Sequence, residues 1–468
     1  MYKEIKNFLN IQYIITTILF LLLTVLVEGY WEKLIILTIF TFITLYIFSI
    51  KRISKNYLYF NIFELRFISI SIVFIYSIIP LIGFLFSGFE INEYSDNRLR
   101  SLNLNSEKLF LFYLNFYLPF FTSFIIAILI FSKDNIINLS NVLPFNINLF
   151  IIIVLSLIFF NIFFIYYTNS ASVPLIFRQL NNLFSHYRLV CNSFLIIFIF
   201  LNWNNKLVKM LFILWLLFLF YEVMIGSSSR TFFFKHILAV FLLYSLLINQ
   251  LKISYIFYIG ITFVLLAIFI GANNTNMGNL FFSLNKIGVA SSEWWSVFGT
   301  AFDIYNFNLK GFFNYTKNML TNDIPNYILF NDFYYLIPQQ FVTKVDPSLW
   351  YLDYIEALDG KSKFGIGFTW GSIANLAIWN NLFYTIFYGL SSGYIIRIFH
   401  NWYIKRNKSI YAIVVYLCMC IYCYGIMRVS MGYFIYEILY RVLPFIIIVF
   451  IATNILNTLS YYKQDDKL

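Results

Sequence analysis

A chain of 468 residues that is 61% hydrophobic, 22% aromatic and only 11% charged cannot hide its apolar side chains in a water-soluble core. Soluble enzymes and nucleic-acid-binding modules are therefore excluded, and an all-α integral membrane protein is expected. The formal net charge of +11 is shared between the positive-inside signal of membrane proteins and any pocket for an anionic ligand, so its placement matters more than its sum.

At the start of the chain Lys3 and Lys6 precede an apolar run. It is followed by Val27, Glu28 and Gly29, with no small-residue cleavage site, so it is expected to stay as the first helix. Apolar stretches of about twenty residues, the length that crosses a bilayer, follow in order at 12–27, 34–50, 67–88, 109–131, 149–167, 189–203, 210–225, 231–248 and 253–271. After a long mixed segment they resume at 367–396, 410–427 and 434–455, about twelve in all. The expected organisation is one membrane domain. Residues 1–271 supply helices one to nine, 272–366 form a mainly helical extracytoplasmic loop capping the outer face, and 367–468 supply helices ten to twelve and a cytoplasmic tail. In the tenth span Gly389 and Gly393 make a G-x-x-x-G pair suited to close helix contact.

Orientation follows from the short loops. Lys51, Arg52 and Lys55, then Lys206 and Lys209, then Arg397, Lys405, Arg406 and Lys408 fall on one side, which is the cytoplasm, with both termini. The other side receives Glu28, Glu32, Glu90, Glu93, Asp96 and the long segment. Cys191, Cys418, Cys420 and Cys423 all fall in apolar spans, which argues against a disulfide framework. The last three are expected to splay around a lipid-facing helix rather than to ligate a metal.

Ionisable groups at the edge of a bilayer are costly and mark functional sites by default. They collect at the outer side. Glu222 lies about a turn below the end of the seventh span, and the turn Gly226, Ser227, Ser228, Ser229, Arg230 follows, with Lys235 and His236 beginning the eighth. Arg178, His186 and Arg188 are expected in the loop entering the sixth span. Arg428 ends the eleventh, and Glu437 with Arg441 opens the twelfth. The cationic surplus, Arg178, Arg188, Arg230, Arg428 and Arg441 against Glu222 and Glu437, suits a membrane-embedded phosphate or diphosphate, because planar guanidinium forks match phosphate oxygens. The plainer alternative is that Glu222 and Arg230, and Glu437 and Arg441, only neutralise each other, while the remaining arginines anchor the helices.

The long segment places aromatic rings beside carboxylates and amides: Glu293, Trp294 and Trp295, then Asp303 and Tyr305, then Asn326, Tyr327, Asp332, Tyr334 and Tyr335. Rings stack on the apolar face of a pyranose and polar groups take its hydroxyls; a small aromatic core is the simpler reading. Glycosyl transfer from a lipid diphosphate needs a base for the acceptor hydroxyl and positive charge for the leaving group. Glu293 is the first candidate base, with Asp303 and His186 behind it. Trp294, Trp295 and Tyr305 are candidate stacking rings, and Glu222, Lys235 and Glu437 are candidate supports. External loops hold no Asp-x-Asp motif, and the chain has no phosphate loop or dinucleotide fingerprint, so no metal, cofactor or nucleotide is expected.

This pattern resembles the Wzy-type oligosaccharide repeat-unit polymerases, which include the O-antigen polymerases. The likeness covers most of the chain as architecture, and in residues it rests on the turn from Gly226 to Arg230, on the stretch from Gly365 to Trp370, and on Arg428. Extra serines separate the glycine and arginine of that turn. The resemblance implies a multi-pass protein of the bacterial inner membrane with cytoplasmic termini. Its reaction would transfer a growing glycan from undecaprenyl diphosphate to the terminal sugar of a new lipid-linked repeat. Its partners would be undecaprenyl-diphosphate-linked oligosaccharide, the bilayer and, where chain length is regulated, a polysaccharide co-polymerase; no nucleic acid is implied. The alternatives are an O-antigen ligase, a polyprenyl-phosphate-sugar glycosyltransferase, and a lipid-linked oligosaccharide flippase. A flippase should carry short loops on both sides and charges near the bilayer midplane.

Overall fold

The computed structural model describes residues 50–54, 57–60, 64–74, 106–129, 175–224, 230–247, 330–337, 381–406 and 409–465, with single positions 32, 35, 36, 39, 152, 153, 155, 341, 372 and 376. The predicted spans at 12–27 and 253–271, and most of the long segment, lie outside the described residues.

The described residues are helical apart from one hairpin. Strands β1 (Ile50–Ser54) and β2 (Tyr57–Phe60) pair antiparallel, with Ile50 opposite Phe60 and Arg52 opposite Leu58, and a bulge between Arg52 and Ser54. β-branched and aromatic residues on a short pleat favour this pairing, where only a basic loop is expected from the sequence. Beyond this short hairpin the described residues are helical, as expected.

The helices are α1 (Leu65–Phe74), α2 (Ser106–Leu129), α3 (Leu175–Leu201), α4 (Lys206–Met224), α5 (Arg230–Leu247), α6 (Asn331–Leu336), α7 (Leu382–Arg406), α8 (Ile410–Tyr422), α9 (Gly425–Arg428) and α10 (Met431–Tyr436). A π-helix, Glu437–Val442, then leads into α11 (Leu443–Asp465). Among the described residues, two stretches are long and apolar enough to cross a membrane: Leu382–Arg406, of 25 residues, and Met431–Leu456, of 26. At 1.5 Å per residue each measures roughly 38 Å, more than a hydrocarbon core of ~30 Å.

Two boundaries differ from expectation. The tenth span does not end at 396: α7 carries Arg397, Lys405 and Arg406 in helix. The Arg397 guanidinium lies 4.5 Å from the Tyr394 ring centre and that of Arg406 5.6 Å from Trp402. An aromatic face can take such a charge without breaking the helix. Similarly, α3 begins at Leu175, so Arg178, His186 and Arg188 stand on a helix and not in a loop.

The chain forms two compact units. The first comprises Met1–Asp134, Gly288–Asn401 and Cys423–Ile435. Here α2 lies directly on α7 at the two predicted glycines. A Cβ at Gly389 would strike Ser123 Oγ and stand 2.5 Å from the Phe120 carbonyl oxygen; one at Gly393 would strike the Phe124 carbonyl and stand 2.9 Å from Ala127 Cβ. Small residues allow this approach, and van der Waals packing then holds the helices together in an apolar medium. Phe120, Phe121, Phe124, Ile125 and Ile128 of α2 are fully buried. Pro119 sits within α2, and the hydroxyls of Thr122 and Ser123 donate to the carbonyls of Leu118 and Pro119 at 2.7 and 2.6 Å, satisfying backbone acceptors around the kink-prone residue.

The second unit comprises Asn135–Ile287, Trp402–Tyr422 and Tyr436–Leu468. Its centre is α8, in which every residue but Tyr411 is buried. A helix that is apolar all round belongs inside a bundle, so Cys418 and Cys420 are interior groups and not lipid-facing ones. Around α8 stand α3, α5, the π-helix and α11. Tyr416 stacks on Tyr403 at 3.8 Å, Tyr411 meets Phe194 and Phe450 edge-on, and Trp215 Nε1 donates to Asn192 Oδ1 at 3.1 Å.

Candidate functional site

Three polar constellations stand out, one in the second unit and two in the first.

In the second unit, the π-helix carries Glu437 and Arg441 one wide turn apart. Arg441 Nη1 donates to Glu437 Oε1 at 2.6 Å, Glu437 is 1% exposed and Arg441 25%. The guanidinium also lies 5.2 Å from the Tyr436 ring centre. Wide turns of this kind occur frequently where a helix carries function. Arg188, on α3, is buried, and α3 packs on the π-helix, on α5 and on α8. Tyr187 beside it meets Phe445 at 4.6 Å. Lys235, on α5, projects its ammonium over the Tyr422 ring at 4.7 Å, and the neighbouring His236 is buried beside Trp215. Arg188, Lys235, Glu437 and Arg441, all predicted site residues, therefore stand on helices of one unit, with α5 and the π-helix each packed on α3 and α8. The plainer alternative holds in part, since Arg441 and Glu437 do answer each other.

The other predicted residues divide as follows. Arg178 and His186 lie on α3, Glu222 on α4, Arg230 begins α5 and Arg428 ends α9, in the first unit; their side chains lie outside the described residues. Glu293, Trp294, Trp295, Asp303 and Tyr305 lie wholly outside them.

In the first unit the long segment contributes a carboxylate that sequence reasoning named only among the aromatics. Asp332 opens α6, and the carboxylate meets the N-terminus of α10. The first N–H groups of a helix have no partner within it, and here each finds one. Met431 N–H donates to Tyr388 Oη at 3.0 Å, Gly432 N–H to Asp332 Oδ1 at 2.6 Å, and Tyr433 N–H to Ser430 Oγ at 3.1 Å. The Ser430 and Tyr388 hydroxyls also bond the Asp332 carboxyl. Burial pushes that carboxyl above the ordinary aspartate range, against the smaller pull of the Ser430 hydroxyl, the Gly432 N–H and the Tyr388 hydroxyl. Gly432 is required by the contact: a Cβ there would stand 2.5 Å from Asp332 Cα and 2.7 Å from its carbonyl carbon. Ser372 hydroxyl bonds the Ile426 carbonyl and lies 3.5 Å from Tyr388 Oη, while Tyr388 leans on Phe120 and Tyr335 on Tyr433.

The third constellation joins Glu64, Arg66 and His400, each at most 3% exposed. Arg66 bonds Glu64 through Nε and Nη2, and His400 Nε2 lies 2.8 Å from the same carboxylate oxygen. The sequence reading did not single out Glu64 and Arg66, which sit just before the predicted third span; a charge immediately beside an apolar run is the signal that could have found them. Among the described residues no group of three His, Cys, Asp or Glu is placed to hold a metal ion.

No family model matches this chain, and neither does any curated protein or solved structure.

Proposed function

We propose that this protein is a membrane glycosyltransferase that polymerises lipid-linked oligosaccharide repeats at the outer membrane face. The growing glycan passes from undecaprenyl diphosphate to the terminal sugar hydroxyl of a new repeat. The observation that carries this reading is the burial of Arg188 among the same packed helices that carry Lys235 and Arg441. Cationic side chains gathered on the helices of one apolar unit are costly and mark a functional site by default, and guanidinium forks match phosphate oxygens. A diphosphate whose lipid tail stays in the bilayer suits such a set, and the same cations would stabilise it as it departs. The resemblance to Wzy-type polymerases supports the same reaction, and the inner membrane of a bacterium is the matching location.

The test uses the full chain in nanodiscs with lipid-linked oligosaccharides extracted from source cells lacking this gene. A polymer ladder is expected, together with release of undecaprenyl diphosphate. Arg188→Ala should abolish it at normal protein level. A mutant still making full-length chains removes Arg188 from the mechanism.

A flippase is the second reading, and the buried Glu64, Arg66 and His400 group favours it, because transporters keep charges inside the bundle. His400 lies six residues from the end of α7, roughly 9 Å along the axis, nearer the membrane edge than the midplane. That placement keeps the transferase first. Translocation of a labelled lipid-linked oligosaccharide without polymer would reverse the order.

A further inference from the structure

We propose that α6 is an interfacial membrane anchor, with its outward face of Phe330, Phe333 and Ile337 set among the acyl chains at one edge of the bilayer. The anchor is independent of the reaction proposed above and rests only on the two long apolar stretches crossing the membrane. α6, α7 as far as Asn401 and the start of α10 all belong to the first unit.

The fastening of α6 fixes its depth. Gly432 N–H, which donates to Asp332 Oδ1 at 2.6 Å, belongs to the first turn of the apolar stretch Met431–Leu456. Tyr388, whose hydroxyl bonds the Asp332 carboxyl and accepts Met431 N–H, stands six residues into the other stretch, Leu382–Arg406. Six residues measure roughly 9 Å along the axis, and helical side chains lean toward the N-terminus. Both stretches therefore begin beside Asp332, at the end of α7 remote from the basic Lys405 and Arg406. A segment bonded to the starting turns of two membrane-crossing helices lies where the hydrocarbon begins. The bonding itself suits that depth. Side-chain oxygens accept the N–H groups of Met431, Gly432 and Tyr433, as a helix end needs where water is scarce.

The polarity of α6 is inverted relative to a helix that faces water. Asp332 and Tyr335, on one side, meet α10. Phe330, Phe333 and Ile337 recur at i, i+3 and i+7, the spacing of one helix face, and all three are exposed, Phe333 by 67%. Leu336 beside them and Phe341 beyond are exposed as well. Apolar side chains turned outward, with the carboxylate turned inward, form the arrangement that an apolar solvent selects. α7 leaves Phe383 and Phe387 exposed at the same end, so lipid reaches this level of the unit. Tyr334, Tyr384 and Tyr433 are half-buried around the junction, and tyrosine rings favour the boundary between membrane and water.

The test attaches an environment-sensitive fluorophore to Phe333→Cys of the full chain, in nanodiscs of phosphatidylcholine and phosphatidylglycerol. Background labelling is low because Cys191, Cys418, Cys420 and Cys423 are buried. Phe387→Cys on α7 is the lipid-facing control, and Asn204→Cys, exposed between α3 and α4, is the aqueous one. Emission at Phe333→Cys is expected to shift to the blue relative to Asn204→Cys. It should be lost to nitroxide-bearing lipids, more to a nitroxide high on the acyl chain than to one at its tip, because an interfacial helix buries its apolar face only about 5–10 Å deep. Aqueous iodide should quench Asn204→Cys alone. Quenching of Phe333→Cys by iodide overturns the anchor in favour of a surface facing water. Protection from both quenchers overturns it in favour of a protein cover, a second copy of this chain included, and stronger loss to the tip nitroxide overturns the interfacial depth. If Phe333→Cys does not fold, Ile337→Cys is read in the same way. Escape of Phe387→Cys from the nitroxide overturns the membrane placement of α7 and the anchor with it, which separates that failure from failure of α6 alone.

Discussion

Gly432→Ala isolates the contact between the long segment and the N-terminal end of α10. The added Cβ would stand 2.5 Å from Asp332 Cα and 2.7 Å from its carbonyl carbon, where carbon atoms rest at about 3.5–4.0 Å. Backbone cannot yield as a side chain does, so α6 must withdraw by about 1 Å. The 2.6 Å bond from Gly432 N–H to Asp332 would then open to roughly 3.6 Å, at which it no longer holds. Overpacking of this kind costs about 1–3 kcal/mol, which favours the detached state by roughly 5- to 150-fold. The assay is maleimide labelling of Tyr335→Cys, a site 8% exposed and packed edge-on against Tyr433. Background is low because Cys191, Cys418, Cys420 and Cys423 are all buried. Labelling in the Gly432→Ala background should accelerate by about that factor. An unchanged rate would show that α6 is not held at Gly432.

Arg441→Ala leaves the 1% exposed Glu437 without its 2.6 Å partner and should cost about 3 kcal/mol in thermal unfolding; the pair Glu437→Gln with Arg441→Met should recover most of it, and no recovery would mean the guanidinium matters for packing alone. Gly393→Leu should force α2 from α7 at Phe124 and Ala127 and cost about 3 kcal/mol or more, seen as a lowered unfolding temperature; wild-type stability would refute the close crossing. Because the folded Asp332 carboxyl titrates above its unfolded value, ionising it opposes folding: any stability it gives is present at low pH and lost as pH rises through the folded value. Asp332→Asn should therefore raise the unfolding temperature at neutral and alkaline pH and leave it unchanged in acid; a uniform shift across pH would refute the sign.

The local elements were largely legible in the sequence. The span expected at 231–248 is the helix Arg230–Leu247, that at 210–225 is Lys206–Met224, and that at 410–427 gives Ile410–Tyr422 with a short turn to Arg428. Continuous apolar runs bounded by charge leave little choice in an apolar medium. Gly389 and Gly393 were readable because their spacing places both on one face of a helix. Asp332 was not singled out, since its partners lie on α7 and α10 and Gly432 is a hundred positions away; no periodicity records a meeting between distant segments. The end of α7 beyond Arg397 was misplaced for a related reason: a charge reads as a loop until the ring that accepts it is known.

The π-helix from Glu437 to Val442 has a bearing on how this chain can vary. A wide turn holds one residue more than its α-helical equivalent, so deleting a single residue there would relax it to an ordinary α-helical turn and leave Phe445 and Phe450 facing Tyr187 and Tyr411. The same deletion within α11 would swing everything after it by about 100°. Inheritance should accordingly tolerate the loss of one residue in the wide turn far better than in the helix that follows.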